Sequence, residues 1–351
     1  MGGVAQPQAQ TTRIISSAMY GIDAEGNDII PVPGTAALPD LEAYLTRLLS
    51  EIASQDHRRC YKLQSSTTEF GTCLTSLYTV PDLDTNPSSR NLAERLLRTE
   101  VATLARYRNL NKVSSGSFLQ FIYLEHGLLS FLGVKVEHLA FLDVADFIRK
   151  IGLPDERKLY KACKVSFLRD GTVGEVSVFD TNGVPAQYWC SEFLELEPVR
   201  DDTENTKKAV EAVLQAIGPL KRRHPADHTI LRNATVAAFK RNIQMNYHTF
   251  VSDTFGAYTP VSSDASADIV KLVAKLNLLP NTKGFDTQFT LVPEAVPFRQ
   301  KKYNLTPEIM LTVREGIADL SEKIWAETTQ DGKKVVVIET DQADNFVMKP
   351  R

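Results

Sequence analysis

Residues 161–183, KACKVSFLRDGTVGEVSVFDTNG, constrain the fold more than any other stretch of the chain. Two apolar, strand-forming runs flank Asp170-Gly171, and Asn182-Gly183 closes the second, so the spacing predicts a β-hairpin. A lone hairpin is marginal in water, and this one therefore calls for more strands and a covering layer. Upstream, TRIISSAMYGIDAEGNDIIPV (12–32) reads as two strands around a polar turn at Asp23–Asn27, with Gly26 supplying a positive φ. Residues 58–80 read as short strands. GSFLQFIYLEHGLLSFLGVKVEHLAFL (116–142), broken at Glu125-His126-Gly127, reads as a hairpin in the centre of a sheet. Ser114–Ser117 reads as a turn.

Helical periodicity is interleaved with these runs. Leu41, Tyr44, Leu45, Leu48, Leu49 and Ile52 follow helical spacing behind Pro39. A second helix is predicted over about residues 89–108. Its inner face is Leu92, Leu96, Val101, Leu104 and Ala105, and Arg95, Arg98, Arg106 and Arg108 point outward. DVADFIRKIGL (143–153) is predicted as a short helix ending at Gly152. Beyond residue 200 the helical period takes over. NTKKAVEAVLQAIGP buries Val210, Val213, Leu214 and Ile217 and stops at Gly218-Pro219. PADHTILRNATVAAFKRNIQMNYHTFV reads as one long helix from Pro225, and SSDASADIVKLVAKLNLLP as another, capped by Ser262 or Ser263. EKIWAETTQDGKKVVVIET closes the chain as a hairpin about Asp331-Gly332. The fold class is therefore α+β: an N-terminal mixed, mostly antiparallel sheet with helices, followed by a helical region closed by a C-terminal β-hairpin. Residues 1–12 are expected to be a disordered leader, 13–200 the first domain and 201–351 the second.

No apolar run approaches the roughly 20 residues needed to span a bilayer, and the start MGGVAQPQAQTT is not expected to act as a secretion signal. Four isolated cysteines at 60, 73, 163 and 190 suit a reducing cytoplasm, as buried small apolar residues. Phosphate loops, dinucleotide fingerprints and serine-nucleophile elbows are missing from the sequence, and no cofactor is expected. His224 and His228 flank Pro225, which places the first outside the helix, so solvated side chains are expected there before zinc ligands.

The run PAQYWCSEFLELEPVRDDTENTKKAV (185–210) gathers Glu192, Glu195, Glu197, Asp201, Asp202 and Glu204. One reading is a seam between helices. Trp189, Phe193 and Leu196 pack inward, Glu192 and Glu195 face solvent, and Pro198 ends the first helix. Asp201, Asp202, Thr203 and Asn205 then cap the next. The rival is a metal-dependent nuclease site assembled from Asp170, Asp180, Glu192 and Glu195 with Lys161 or Lys164.

Net charge is −3, yet residues 219–302 hold 12 Lys+Arg against 6 Asp+Glu. Lys221, Arg222 and Arg223 precede a helix start; Lys240 and Arg241 form a second pair; Arg299, Lys301 and Lys302, flanked by Phe298 and Tyr303, form a third group. Cations interleaved with aromatics can hold phosphates and stack on unpaired bases. The alternative is three unrelated solvated patches.

FLDVADFIRKIGL, RKLYKACKVSFLRDG and AQYWCSEFLELEPVRDDTENT, with the closing YNLTPEIMLTVREGIADLSEKIW and GKKVVVIET, together resemble the NdpA/YejK-type bacterial nucleoid-associated proteins. The resemblance runs over nearly the full length and implies a cytoplasmic, nucleoid-located DNA-binding protein without catalysis of its own. DNA is then the expected partner, and Lys221, Arg222, Arg223, Lys240, Arg241, Arg299, Lys301, Lys302 and Tyr303 its expected contacts. A homodimer is expected from the prevalence of symmetric oligomers. An adaptor carrying a basic face for a partner protein of a mobile-element or phage-defence assembly is the alternative.

Overall fold

The computed structural model describes residues 13–32, 39–54, 58–106, 116–142, 149–153, 160–241, 243–297, 300–314, 316–317 and 319–347. The chain divides into two compact units, residues 1–200 with 286–288, and residues 201–285 with 289–351.

In the first unit, β1 (Arg13–Asp23) and β2 (Asp28–Val32) form the expected opening hairpin. Its turn works differently from expectation: Asn27, not Gly26, takes the positive φ, and the Asp23 carboxylate accepts the backbone N–H groups of Glu25 and Gly26. Helix α1 (Pro39–Ser54) follows, with Tyr44, Leu48, Leu49 and Ile52 buried as its spacing requires. After β3 (Arg59–Leu63) comes α2 (Glu69–Thr79), where strands were expected. The Thr68 hydroxyl accepts the Gly71 N–H, and Phe70, Cys73, Leu74 and Leu77 line one helical face. Capping and a 3.6-residue period thus outweigh the strand propensity of this Thr- and Tyr-rich stretch. Helix α3 (Ser88–Arg106) buries Leu92 and Leu96 as expected, but also Glu100, while Ala105 is exposed.

Strands β4 (Gly116–Glu125) and β5 (Leu128–Glu137) form the central hairpin, turning at His126-Gly127 with both residues at positive φ. Gly116 and Ser117 belong to β4, which displaces the turn expected there; Ser114 and Ser115 lie outside the described residues. Strand β7 (Arg149–Gly152), paired with β6 (Leu139–Leu142), replaces the C-terminal part of the helix expected over 143–153. Residues 143–148 lie outside the described residues, as do residues 1–12. Strands β8 (Tyr160–Phe167) and β9 (Val173–Asp180) are the hairpin read first from the sequence. A π-helical turn (Tyr188–Phe193) and β10 (Leu196–Pro198) end the unit. The sheet is antiparallel, in the order β10-β3-β9-β8-β5-β4-β1-β2.

Period-two alternation gives this sheet two apolar faces. Phe118, Ile122, Phe131, Cys163 and Val178 pack beneath α2, α3 and the π-helical turn, whereas Leu119, Phe121, Leu132, Val134 and Ala162 pack with Leu48 and Ile52 of α1. Cys73, Cys163 and Cys190 are buried and Cys60 half-buried, all as free thiols. Burial pushes the Cys60 and Cys190 thiols up to about 12.

The second unit opens with α4 (Asp202–Ile217), capped by the Asp201 carboxylate on the Glu204 N–H at 2.7 Å. A short α5 (Leu220–Arg223) leads into α6 (Pro225–Phe239). The long helix expected from Pro225 stops there, and β11 (Gln244–Asn246) and α7 (Tyr247–Val251) take up its remainder. Helix α8 (Ser266–Asn277) is preceded by a 3-10 turn, and neither Ser262 nor Ser263 caps it. Then come α9 (Leu279–Lys283), β12 (Gln288–Thr290), β13 (Gln300–Asn304), β14 (Met310–Arg314), α10 (Leu320–Lys323), β15 (Ile324–Thr328) and β16 (Lys334–Ile338). The expected closing hairpin is β15–β16, turning at Gly332 with φ +79. The β13–β14 hairpin before it is an addition to the expected elements. Leu231, Val236, Phe239, Tyr247, Phe250 and Phe255 form the core of this unit.

Candidate nucleic-acid interface and its neighbouring groove

The acidic run at 185–204 is resolved by its partners. Glu192 pairs with Arg106, and Glu195 accepts the Phe70 N–H at 2.9 Å and faces Arg95 at 3.2 Å. Arg95 also donates to the carbonyls of Glu192 and Phe193 and to Glu69, so neither Glu195 nor Arg95 is the outward charge expected of it. Leu196 lies in β10 and not on a continued helix, because Glu195 turns the backbone at φ +51. Asp180 is buried beside Lys161, and Asp170 closes its own turn on Thr172. The four carboxylates of the nuclease reading therefore each serve a different local partner. Among the described residues no group of three His, Cys, Asp or Glu is placed to hold a metal ion.

The candidate cations of the second unit lie at both ends of α6 and beside its middle. Lys221, Arg222 and Arg223 are exposed on α5. Arg223 shares a cleft of about 290 Å³ with Lys271 and Lys275 of α8 and with Asp268. Asp268, Lys271 and Lys275 stand at i, i+3 and i+7 and so share one helical face. Asp268 receives Arg223 at 3.1 Å and His224 Nε2 at 3.3 Å, and those hydrogen bonds, Arg223's first, hold its carboxyl below the usual range. Among the described residues the one carboxylate lining the cleft is thus engaged, and the two lysine ammonium groups give it a net positive charge. Lys271 and Lys275 are not among the contacts expected from the sequence; their i, i+4 spacing on an amphipathic helix was the available signal. His224 and His228 are buried, not solvated; His224, just ahead of α6, turns its Nε2 to the Asp268 carboxylate of α8.

The second group surrounds the middle of α6. Arg232, Lys301 and Arg314 line a cavity of about 10 Å³ with Asn233 and Tyr303, room for roughly one water. Lys301 donates to the Thr229 hydroxyl at 3.1 Å and lies 4.8 Å over the Tyr303 ring, so one face of that ring is covered. Lys302 points the other way and is exposed, as the β alternation requires. Arg241 is exposed and Lys240 half-buried at the C-terminal end of α6, about 22 Å of helix from Pro225. Phe298 and Arg299 lie outside the described residues. The expected contacts are thus drawn out along one helix instead of gathered at one point.

Asn233 holds this arrangement together. Its carboxamide oxygen accepts the N–H groups of Gly316 at 2.9 Å and Ile317 at 3.0 Å, and its amide nitrogen donates to the Ile317 carbonyl. Gly316 sits at φ +89, where a side chain would also press on Lys240 and Val236. Asn233→Ala leaves these peptide groups without partners and is expected to cost about 1–3 kcal/mol. Faster proteolysis after β14 in the variant, with the first unit unaffected, is the measurement that checks this.

Beside the cations lies an apolar groove of about 490 Å³, lined among others by Ile230, Val261, Tyr303, Leu311, Leu320 and Trp325. Asp227, at the start of α6, fixes the rim. It accepts the Tyr258 hydroxyl and the Val261 N–H, both at 2.7 Å, and the Ser262 N–H at 3.3 Å.

No protein-family model matches the chain, and no curated protein is detectably similar to it. The site therefore stands on its own geometry. Among the described residues no helix is long and apolar enough to cross a membrane.

Proposed function

We propose that this is a non-catalytic DNA-binding protein whose second unit holds the phosphate backbone. The reading rests on the cleft between α5 and α8, where Arg223, Lys271 and Lys275 converge beside Lys221 and Arg222 while its single acidic group is already engaged. Such a site recognises phosphates by charge and carries no base-edge readout, so binding is expected to be salt-sensitive and weakly sequence-dependent. Arg241, exposed at the far end of α6, is a further candidate contact, and the helix of about 22 Å between the two ends spans roughly six base pairs of rise. The sequence motifs read as resembling NdpA/YejK-type nucleoid proteins imply the same kind of partner.

Fluorescence anisotropy of labelled duplex and single-stranded DNA over a salt series tests the reading. Lys271→Glu/Lys275→Glu is expected to weaken binding about tenfold at low salt. It should also flatten the log–log salt slope by about 0.9 for each phosphate that is no longer neutralised. Unchanged affinity and slope would remove the α5–α8 cleft from the interface. A second reading, an adaptor for a partner protein, is favoured by the apolar groove beside the cations. A protein captured by the wild type but not by Trp325→Asp, with no DNA shift in either, would support it.

A further inference from the structure

Hairpin β15–β16 is apolar on both faces. Trp325, Val335 and Val337 occupy one face, and Ile324, Ala326, Val336 and Ile338 the other. None of these seven is fully buried, and Val336 and Ile338 are 42% and 41% exposed. A run such as Val335-Val336-Val337-Ile338 is the pattern of a strand inside a sheet, yet among the described residues this sheet has two strands. Among the described residues, β16 therefore carries an unpaired edge of the kind natural proteins cover or blunt.

The register shows which groups that edge presents. The Glu339 N–H donates to the Lys323 carbonyl at 2.9 Å and the Thr329 N–H to the Lys333 carbonyl at 2.8 Å. These hydrogen-bonded positions alternate along the ladder, so Trp325↔Val337 and Glu327↔Val335 share them. The intervening residues, Lys334, Val336 and Ile338, accordingly turn their N–H and C=O groups away from β15.

We propose that this edge pairs with the same edge of a second copy of the chain, antiparallel and centred on Val336. That register is self-complementary, as a two-fold interface requires. Val336 meets Val336, Lys334 meets Ile338, and Val335 meets Val337 of the other copy, so all three outward-facing residues gain ladder hydrogen bonds. One step beyond, Lys333 meets Glu339 on both sides of the axis, placing opposite charges face to face twice. The present partner of Lys333 is Asp331 at 2.6 Å, a surface pair with the lysine 78% exposed, which competes weakly. The product is a four-stranded sheet that doubles the apolar area on each face. Charge complementarity at 333 and 339 singles out a second copy over an unrelated strand, and nothing in the proposal depends on DNA binding.

Sedimentation analysis of the full-length protein over a concentration series tests it, with circular dichroism to verify folding. The wild type is expected to dimerise. Val336→Lys, which places two ammonium groups opposite each other on the axis, is expected to be monomeric. Lys333→Glu and Glu339→Lys should each weaken the dimer about tenfold, and the double exchange should restore it, because the charges face each other again in reverse. Val336→Cys should cross-link on mild oxidation, its Cα lying about 5.5 Å from its mate, and Lys334→Cys far less. A wild type monomeric throughout, including one that binds a different protein as a monomer, overturns the proposal. So does a double exchange without recovery, or a dimer that persists in folded Val336→Lys.

Discussion

Lys135→Met is expected to lower the unfolding free energy of the first unit by about 3–5 kcal/mol, the cost of leaving a buried charge alone. Lys135 of β5 is 3% exposed and pairs with Glu100 of α3, itself fully buried. Around them stand Lys161, 3.6 Å from Glu137 and 3.8 Å from Asp180. Without the Lys135 ammonium, the Glu100 carboxylate keeps its desolvation penalty and loses its principal compensation. Glu100→Leu/Lys135→Met removes both charges and is expected to recover most of the loss, since a well-packed apolar pair can replace a buried ion pair. The effect also carries a pH signature. Burial already raises the Glu100 carboxyl above its ordinary value, and loss of Lys135 raises it further. A carboxyl raised in the folded state binds more protons there than in the unfolded chain. Stability therefore rises as pH falls through the folded value. Urea unfolding near pH 8 and near pH 5 checks this: the Lys135→Met deficit should be smaller at the lower pH. An equal deficit at both would mean that lost packing, not the stranded charge, is responsible.

Trp189→Ala is expected to cost about 3–5 kcal/mol, which for a unit of this size lowers the melting temperature by about 10 °C. Trp189 is fully buried, with Phe193 at 4.8 Å and Phe118 at 6.4 Å between ring centroids, Phe118 meeting it edge-on. The π-helical turn that carries it is short and held from outside by Arg95, which donates to the Glu192 and Phe193 carbonyls. Little backbone is free to collapse into the space, and the cavity cost remains. Trp189→Phe separates volume from polarity. The indole Nε1 is buried without a hydrogen-bond acceptor among the described residues, so phenylalanine keeps most of the packing and removes an unpaired donor. Its cost should be well below that of alanine. Equal losses for the two variants would indicate that the ring's shape, not its bulk, holds the turn.

The strands were legible wherever a turn and a period coincided. Asp170-Gly171, His126-Gly127 and Asp331-Gly332 each announce a hairpin through residues that tolerate left-handed backbone. Helices α1 and α4 were legible for the same reason, that local chemistry and periodicity agree; α3 was legible in its place but not in its faces, since Glu100 is buried and Arg95 turns inward. Residues 69–79 misled because strand-forming side chains fall on a helical period, and the Thr68 cap decides between the two only once Phe70, Leu74 and Leu77 have a sheet to pack on. Leu196 misled because a helical spacing continued past a residue that turns the chain. Of the candidate site, the basic character of 219–302 was legible and its composition was not: Lys271 and Lys275 join Arg223 only because α8 packs beside α5.

By itself the sequence determined the α+β class, the central hairpins, the division near residue 200 and the position of the cationic segment, because period, turn chemistry and charge are local properties of the chain. Tertiary structure alone decided which charges remain available. Glu195, Glu100 and Asp268 look alike in sequence, but one ties down Arg95, one is buried under Lys135, and one is occupied by Arg223 and His224. A carboxylate's role depends on what lies within 4 Å of it in space, and long-range packing sets that.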